Sequence, residues 1–477
     1  MSIVKRAFNN MFWLSVSEVS SKGLTFLGTM YLARKLGRSG FGLFSLALAA
    51  GNYLWIVVDL GIIRYGTREI ARDKNKAAEL YSTLVSMRLI LALFLFLLFS
   101  GAIYLTNMAP ALKLCMMTGG FYVVACSLSP DWVFRGLEKM QYIAFGNIAT
   151  SLLFLAAIFI LVKKSSAAFL ASASYAGSFL LGSLILVVLL YRKLGIPFTF
   201  KISFRSWLFH AKESFYFAMN NAISSLSLYI PIFFMGIWNT TEDVGTFAAP
   251  YRLTTFISNA SLMSITALYP VLANLYVTDL KSFKSTHSKF QRMIIWISLP
   301  VCIIVTTFSR EIVVLLFGAS YANSTSIFNI LAWLSFLSLI KASYGNAIIS
   351  AGFHRFNMLA TGAGAIVVVL VSLALIPSNS GYGAAWALIL GEVVTLVLMA
   401  WLFRQKVYRS EFPKNYLIKV VFAGIVMVLL MRSLHLTMIL GTLIGFIFYG
   451  TLSLGIGIIS RNQIQRALRH LMAWRTS

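Results

Sequence analysis

The amino-acid sequence predicts an all-α, polytopic membrane protein with about fourteen transmembrane helices. Three observations predict this class. Hydrophobic residues make up 59% of the 477 residues, and charged residues only 11%. Apolar runs near the ~20 residues needed to cross the hydrocarbon core recur along the whole chain. No connecting segment exceeds roughly twenty residues, which leaves no room for a soluble domain between helices. We therefore expect the membrane bundle itself to hold the function.

The positive charge of the chain follows the membrane topology. The net charge is +26, and Lys and Arg together number 40. With fourteen spans and a cytoplasmic N-terminus, roughly 28 of these residues lie in cytoplasmic segments and roughly 8 in external ones, which is the positive-inside pattern. This distribution predicts that both termini are cytoplasmic. It also accounts for the charge without a nucleic-acid partner, and we expect none.

The first predicted span covers residues 8–34 and carries a polar stripe. Its polar side chains recur every three or four residues and so share one helical face. They are Ser15, Glu18, Lys22, Thr25 and Thr29. Because an ionised group at the bilayer centre costs roughly 2.5 to 3.5 kcal/mol, we expect this face to line a polar compartment. Glu18 and Lys22 admit two interpretations, an ion pair within the helix and direct roles in function.

The second predicted span, residues 41–63, has Asn52 and Asp59 on one face. The basic segment that follows also contains acidic residues, and we expect most of it to be a solvated loop. Spans three to six are mostly plain apolar runs, typical of packing or lipid-facing helices. Arg88 lies near the end of the third span, where its long side chain is expected to reach the membrane surface.

The second half of the chain repeats the layout of the first. Residues 42–47 (Gly-Leu-Phe-Ser-Leu-Ala), which open the second span, parallel residues 245–250 (Gly-Thr-Phe-Ala-Ala-Pro), which open the eighth. A six-helix repeat gives two lobes of the same orientation, related by a pseudo-twofold axis along the membrane normal, with a cavity between them. The predicted lobes are residues 1–200 and 201–410. Residues 411–477 are predicted to add two transmembrane helices and a basic cytoplasmic tail.

Charged and polar side chains within the spans indicate a candidate site. The intramembrane charges are Glu18, Lys22, Asp59, Arg88, Arg252, Lys341 and Glu392. Arg and Lys side chains bind phosphate oxygens well, so we predict a cationic cavity for an anionic substrate. The predicted cavity lining is Lys22, Arg252 and Lys341, with Asn220, Ser224 and Asn259 as contacts for sugar. Glu18 and Asp59 are predicted to couple transport to H⁺ or Na⁺.

Several kinds of chemistry have no counterpart in the sequence. It has no G-x-x-x-x-G-K-[ST] phosphate loop, so we do not expect ATP to drive the protein directly. The 5 His residues are scattered without metal-ligand spacing, and the 3 Cys residues lie in apolar segments. We therefore expect no metal, no catalytic residue and no cofactor beyond a coupling ion, and we do not expect an enzyme.

Several motifs resemble a known family. The most specific lie in the first part of the chain and are Tyr31-Leu32-Ala33-Arg34-Lys35-Leu36-Gly37, Gly40-Phe41-Gly42, Asp59-Leu60-Gly61 and Gly66-Thr67-Arg68-Glu69-Ile70-Ala71-Arg72. Later motifs are Arg135-Gly136-Leu137-Glu138-Lys139 and Leu315-Leu316-Phe317-Gly318 with Tyr321. Together they resemble bacterial polysaccharide flippases of the O-antigen translocase type, which belong to the multidrug/oligosaccharidyl-lipid/polysaccharide exporter superfamily.

The resemblance implies two six-helix lobes plus two C-terminal helices. It also implies that the protein moves an undecaprenyl-pyrophosphate-linked oligosaccharide from the cytoplasmic to the external leaflet of the bacterial inner membrane. We expect a passive or ion-coupled (antiporter) flippase that works by alternating access, with membrane lipids and polysaccharide assembly proteins as partners. Related lipid II flippases have an arginine-rich first helix. Glu18 and Lys22 stand in that helix here, so lipid II is the less favoured cargo.

Two alternatives to a flippase remain open from the sequence. A cation-coupled multidrug exporter of the same superfamily would need a cavity dominated by acids and aromatics, and the excess of Lys and Arg argues against it. A membrane glycosyltransferase or polymerase would expose catalytic acids on a sizeable loop. The short external loops offer only Glu242, Asp243 and Glu311.

Overall fold

The computed structural model describes residues 3–266, 269–408, 414–434 and 437–458. Within these ranges, side chains are described except at positions 3–11, 216, 217, 219–221, 224, 226, 260–266 and 414. In the described ranges every regular element is helical, which confirms the predicted all-α class. The helices are α1 (Ile3–Asp59), α2 (Ile62–Arg72), α3 (Ala77–Leu105), α4 (Pro110–Gly120), α5 (Tyr122–Ser127), α6 (Asp131–Gly136), α7 (Met140–Leu161), α8 (Ala168–Leu194), α9 (Phe204–Trp238), α10 (Thr241–Thr266), α11 (Tyr269–Thr278), α12 (Leu280–Thr307), α13 (Ser309–Phe317), α14 (Thr325–Ser350), α15 (His354–Lys406), α16 (Lys414–Ser433) and α17 (Met438–Gly455), with 3₁₀ turns at Lys74–Lys76 and Ala319–Ser324.

Ten segments of the described chain are long and apolar enough to cross a membrane. Two of them, Phe12–Asp59 and His354–Lys406, run for 48 and 53 residues. At 1.5 Å per residue each is about twice the ~30 Å hydrocarbon thickness, so each provides two crossings. Helices α9 and α10, described only in part, are 35 and 26 residues long and can also span. Counted in this way, the described part of the chain contains fourteen crossings, the predicted number.

The two long helices bend where the backbone leaves helical geometry. Gly37 in α1 has φ 67° and ψ −177°, a conformation that only glycine adopts readily. Ser380 in α15 has φ 48° and follows Pro377, whose missing N–H weakens the helix before the bend. These bends fall between the first and second crossings and between the eleventh and twelfth.

The chain forms two compact units, each with its own apolar core. Unit 1 comprises Met1–Phe256, Leu316–Ile327 and Thr361–Gly391. One of its cores surrounds the fully buried Trp132, with Ile70, Leu84 and Phe134. Unit 2 comprises Ile257–Leu315, Phe328–Ala360 and Glu392–Ser477, and its core gathers Ile295, Tyr344, Phe403 and Met427, among others. The lobe boundaries expected near residues 200 and 410 stay a prediction.

The segment after Asp59 is not the solvated loop that we expected. It contains α2, whose buried residues are Ile62, Tyr65, Gly66 and Ile70. These positions recur at helical spacing and so form one apolar stripe, while the Arg side chains occupy the other faces. Gly66 lies directly against the Trp132 ring, where a Cβ would overlap the indole. The expectation was wrong because it weighed the number of charges rather than the period of the apolar residues.

Helices α1 and α10 cross in unit 1 with their backbones in contact. A Cβ on Gly42 would overlap the carbonyl oxygen of Thr241, and a Cβ on Gly245 would overlap that of Arg38. The contact is reciprocal, because each glycine meets the carbonyl four residues before the other glycine. Such two-way contacts are what a twofold axis requires. The two glycines are those that open the repeated segments at residues 42 and 245.

Polar contacts join the two chain segments beside this crossing. Arg38 Nη2 lies 2.5 Å from Glu242 Oε1, and the hydroxyls of Ser39 and Thr241 lie 2.9 Å apart. The fully buried Tyr321 donates its hydroxyl to the Ala33 carbonyl at 3.3 Å. This end of unit 1 is therefore closed by backbone contact, one ion pair and hydrogen bonds.

Helix α12 begins with a capped turn. The Asp279 carboxylate accepts hydrogen bonds from the Ser282 hydroxyl at 2.5 Å and from two backbone N–H groups at 3.0 Å. These bonds, above all that from the Ser282 hydroxyl, lower the pKa of Asp279. The cap therefore stays ionised to a lower pH than an ordinary aspartate, which favours the start of α12.

Candidate functional site

Arg252 is positioned by a proline-containing stretch of α10. Pro250 has no N–H for the Thr246 carbonyl, and the Ser324 hydroxyl donates to that carbonyl at 2.8 Å instead. The helix therefore continues past the proline without an unpaired carbonyl at this point. Two residues further on, the Arg252 side chain enters the interior of unit 1.

The guanidinium of Arg252 is surrounded by aromatic side chains from four helices. Its Cζ lies 5.7 Å from the Phe44 ring centroid, and it interacts electrostatically with the hydroxyls of Tyr175, Tyr229 and Tyr251. No acidic side chain of the described residues forms a salt bridge with it, and its buried Nε has no hydrogen-bond partner there. The Tyr53 ring packs edge to face against Tyr229, one of these residues, and we call Phe44, Tyr53, Tyr175, Tyr229 and Arg252 together the Arg252 cluster. A cation held in this way can accept an anionic ligand with little displacement of protein partners.

Lys22 is paired within its own helix. Its Nζ lies 2.6 Å from Glu18 Oε2, and both side chains are about two-fifths exposed, at 41% and 42%. The structure thus contains the i,i+4 ion pair that was one of the two interpretations from sequence. Because both partners lie on one face of the same helix, this pair forms without a contribution from a neighbouring helix.

Lys341 is paired with Glu392 in unit 2. Its Nζ lies 2.7 and 2.9 Å from the two carboxylate oxygens, and the Ser338 hydroxyl donates to Oε1 at 2.6 Å. The side chains are 27% and 13% exposed. The sequence left Glu392 without a role, and the structure identifies it as the counter-charge of Lys341. A ligand of Lys341 has to compete with this carboxylate.

Arg88 does not reach the membrane surface, so that expectation was wrong. The side chain is 0% exposed, lies 4.6 Å from the Trp55 ring and donates from Nη2 to the Cys126 carbonyl at 2.9 Å. It interacts electrostatically with Asp59, which is 4% exposed and accepts from the Ile63 N–H at 3.4 Å. Neighbouring crossings therefore bring an acid and a base together. Asp59 and Arg88 lie at similar depths in the predicted second and third spans, and this feature of the sequence indicated a contact between them.

The three predicted sugar contacts are placed differently. The side chains of Asn220 and Ser224 on α9 lie outside the described residues. Asn259 is partly buried on α10 and belongs to unit 2. Among the described residues, no three His, Cys, Asp or Glu side chains come close enough to hold a metal ion. The tyrosines around Arg252 were not identified from sequence, although each lies inside a predicted span.

Sequence comparison relates this chain to proteins of polysaccharide biosynthesis. Residues 7–276, more than half of the chain, match the family described as polysaccharide biosynthesis protein. A "Putative O-antigen transporter" of Shigella flexneri is 25% identical over 429 residues, which cover 84% of this chain and 98% of that protein. The similarity therefore extends over nearly the full length of that relative.

Two solved structures have similar folds. The lipid II flippase MurJ in an inward closed conformation matches with a TM-score of 0.76 and 12% identity, over 92% of this chain and 97% of that one. An inward-facing multidrug resistance MATE family transporter of the MOP superfamily matches with a TM-score of 0.62 and 18% identity, over 81% and 94%. At these identities the likeness concerns the fold alone.

Proposed function

The chain belongs to the polysaccharide biosynthesis protein family, and from this membership we propose that it is a flippase for a lipid-linked oligosaccharide. The proposed cargo is an undecaprenyl-pyrophosphate-linked repeat unit, which moves from the cytoplasmic to the external leaflet of the bacterial inner membrane. The lipid tail stays in the bilayer while the charged head crosses inside the protein. The resemblance to O-antigen translocases and the multi-pass helical fold support this proposal.

One observation carries the choice of an anionic head group. Of the three cations predicted to line the cavity, Lys22 and Lys341 have carboxylate partners, and Arg252 has none among the described residues. An arginine fork can bind two phosphate oxygens at once, and its aromatic surroundings raise the strength of that interaction by excluding water. Arg252 is therefore the proposed anchor of the pyrophosphate. Lys341 can bind the pyrophosphate only when its ion pair with Glu392 is broken.

The proposed mechanism is alternating access. With the positive-inside orientation, both termini are cytoplasmic and the α1–α10 crossing lies at the external end. The contacts of Gly42 with Gly245 and of Arg38 with Glu242 then close the external side, so release of the cargo requires that they part. Glu18 and Asp59 are the proposed groups for coupling to H⁺ or Na⁺. No ATP, cofactor or covalent chemistry enters this mechanism, and the protein acts as a transporter rather than an enzyme.

Transfer between leaflets in proteoliposomes tests this function. Undecaprenyl-pyrophosphate oligosaccharide is placed in one leaflet, and wild type is compared with Arg252→Ala and Arg252→Lys at equal amounts of folded protein. A charge-assisted hydrogen bond contributes roughly 1.5–3 kcal/mol, so we expect Arg252→Ala to slow transfer by about tenfold or more. Arg252→Lys keeps the positive charge but loses the planar guanidinium, so its transfer rate should lie between those of wild type and Arg252→Ala. Arg432→Ala, an exposed change at the end of α16, serves as the control.

The same experiment separates the rival functions. If wild type transfers none of several lipid-linked glycans but expels cationic dyes on a proton or sodium gradient, the protein is a multidrug exporter. If the purified protein alone lengthens a glycan, it is a glycosyltransferase or polymerase. Equal transfer by wild type and Arg252→Ala removes Arg252 from the proposed site.

A further inference from the structure

Two buried polar atoms of the Arg252 cluster have no hydrogen-bond partner among the described residues. One is the Tyr53 hydroxyl on α1, and the other is Arg252 Nε on α10. Buried polar groups in proteins are nearly always paired, and one left unpaired destabilises the fold. Two such atoms in one cluster indicate that a bound ligand or water completes their hydrogen bonds.

Tyr229 interacts with both Tyr53 and Arg252. The rings of Tyr53 and Tyr229 meet edge to face with centroids 6.2 Å apart. The Phe233 ring also packs edge to face against Tyr53, with centroids 5.7 Å apart. Tyr229 in turn interacts electrostatically with Arg252. Aromatic packing therefore fixes the Tyr53 ring in the same cluster as the guanidinium. Among the described residues the Tyr53 ring makes aromatic contacts, and its hydroxyl has no hydrogen-bond partner there.

A neighbouring tyrosine shows the opposite arrangement. The Tyr251 hydroxyl donates to the Leu228 carbonyl at 2.9 Å and so joins α10 to α9. Its hydrogen bond is internal to the protein. Among the described residues the Tyr53 hydroxyl has no such partner, although both side chains lie in unit 1.

The type of ligand follows from the donors. A guanidinium only donates hydrogen bonds, and a tyrosine hydroxyl donates readily to an anion. Phosphate oxygens only accept, so they satisfy both groups at once. A sugar hydroxyl would pair with Tyr53 but would leave the charge of Arg252 without a counter-charge.

We propose that Tyr53 is a substrate-binding residue whose hydroxyl, together with Arg252, binds the phosphate oxygens of the cargo. This inference rests on the proposed flippase function and deepens it. Tyr53 thereby favours phosphate-linked lipids over glycolipids without phosphate.

The test is Tyr53→Phe, which removes one oxygen and keeps the ring. Because that oxygen has no hydrogen-bond partner among the described residues, we expect the melting temperature to stay equal or rise. The half-saturating concentration of undecaprenyl-pyrophosphate oligosaccharide should rise by about tenfold. The control is Tyr449→Phe, whose hydroxyl donates to the Trp296 carbonyl at 3.1 Å in unit 2. It should lower the melting temperature and leave half-saturation unchanged.

The outcomes are distinct for each proposal. Equal half-saturation for wild type and Tyr53→Phe overturns the role of Tyr53 and leaves the flippase intact. A lower melting temperature with unchanged half-saturation also overturns it, because the hydroxyl then bonds to protein. If wild type transfers no lipid-linked cargo, the flippase proposal fails. Calorimetry with inorganic pyrophosphate then decides about Tyr53, since equal affinities of wild type and Tyr53→Phe exclude a phosphate contact.

Discussion

Lys341 and Glu392 illustrate how the structure changes the meaning of a single charge. Each alone is an ionisable group inside a span, and such groups indicate function by default. They lie 51 residues apart on α14 and α15, yet they form an ion pair that Ser338 completes. The sequence contains both charges but does not say which helices are neighbours. The role of Lys341 in binding a substrate therefore stays a prediction.

We expect Glu392→Gln to destabilise the protein, because it leaves Lys341 largely buried without a counter-charge. Removing one partner of a buried pair costs roughly 3–5 kcal/mol, and we expect somewhat less here because both groups retain some exposure. Thermal unfolding in detergent measures the effect. The double variant Lys341→Met/Glu392→Leu should recover most of the loss. If that stable double variant transfers no lipid-linked cargo, Lys341 contacts the substrate; normal transfer shows that the pair is structural.

At the scale of single helices, glycines decide where α1 bends and how closely it packs. The apolar run of residues 41–63 predicted a second span, and its start follows the bend at Gly37. The matching segments suggest that Gly42 and Gly245 occupy equivalent positions, but they do not show that the two glycines lie in contact. That contact depends on two helices meeting at a position where neither has a side chain. Helix α2 differs, because the period of its apolar stripe is present in the sequence and only the partner of that stripe, the Trp132 ring against Gly66, depends on tertiary structure.

We expect Gly42→Ala to weaken the α1–α10 crossing. The added methyl group would overlap the Thr241 carbonyl, and backbone cannot yield as a flexible side chain can. Overpacking of this kind costs about 1–3 kcal/mol, measurable as a lower melting temperature. Because the contact is reciprocal, Gly245→Ala should have a similar effect. Gly450→Ala in α17 is the control, since a Cβ there meets nothing within 4 Å. Wild-type stability of Gly42→Ala would mean that the helices do not touch at this point.

At the scale of the whole molecule, the resemblance drawn from the early motifs is confirmed by the family match over residues 7–276. The polytopic helical class is likewise confirmed by the fold and by its structural neighbours. The proposed alternating access adds a requirement that the sequence does not state. Contacts between the two predicted lobes at the α1–α10 crossing must break during each cycle.

A cross-link at this crossing tests the requirement. The hydroxyls of Ser39 and Thr241 lie 2.9 Å apart, so cysteines at these positions are close enough for a disulfide. The three native cysteines are buried and should not interfere. Oxidation of Ser39→Cys/Thr241→Cys should stop cargo transfer, and reduction should restore it.

The matched control for the cross-link lies within one predicted lobe. Thr25→Cys/Ser151→Cys joins α1 to α7, where the native hydroxyls are 3.4 Å apart. This pair should leave transfer unchanged after oxidation. If the Ser39–Thr241 disulfide forms fully and transfer continues, the crossing does not open, and alternating access at this end is wrong.

The sequence by itself determined the class of this protein, its crossings and its family. The reason is that lipid offers no partners to backbone N–H and C=O groups, so every crossing must be a long apolar helix that can be recognised locally. Tertiary structure alone decided which charges are neutralised by residues of other helices. The acid near Arg88 and the carboxylate bound to Lys341 come from other helices, and so do the tyrosines around Arg252. Such contacts depend on which helices lie side by side, and that arrangement gives Arg252 aromatic neighbours and no acidic partner among the described residues.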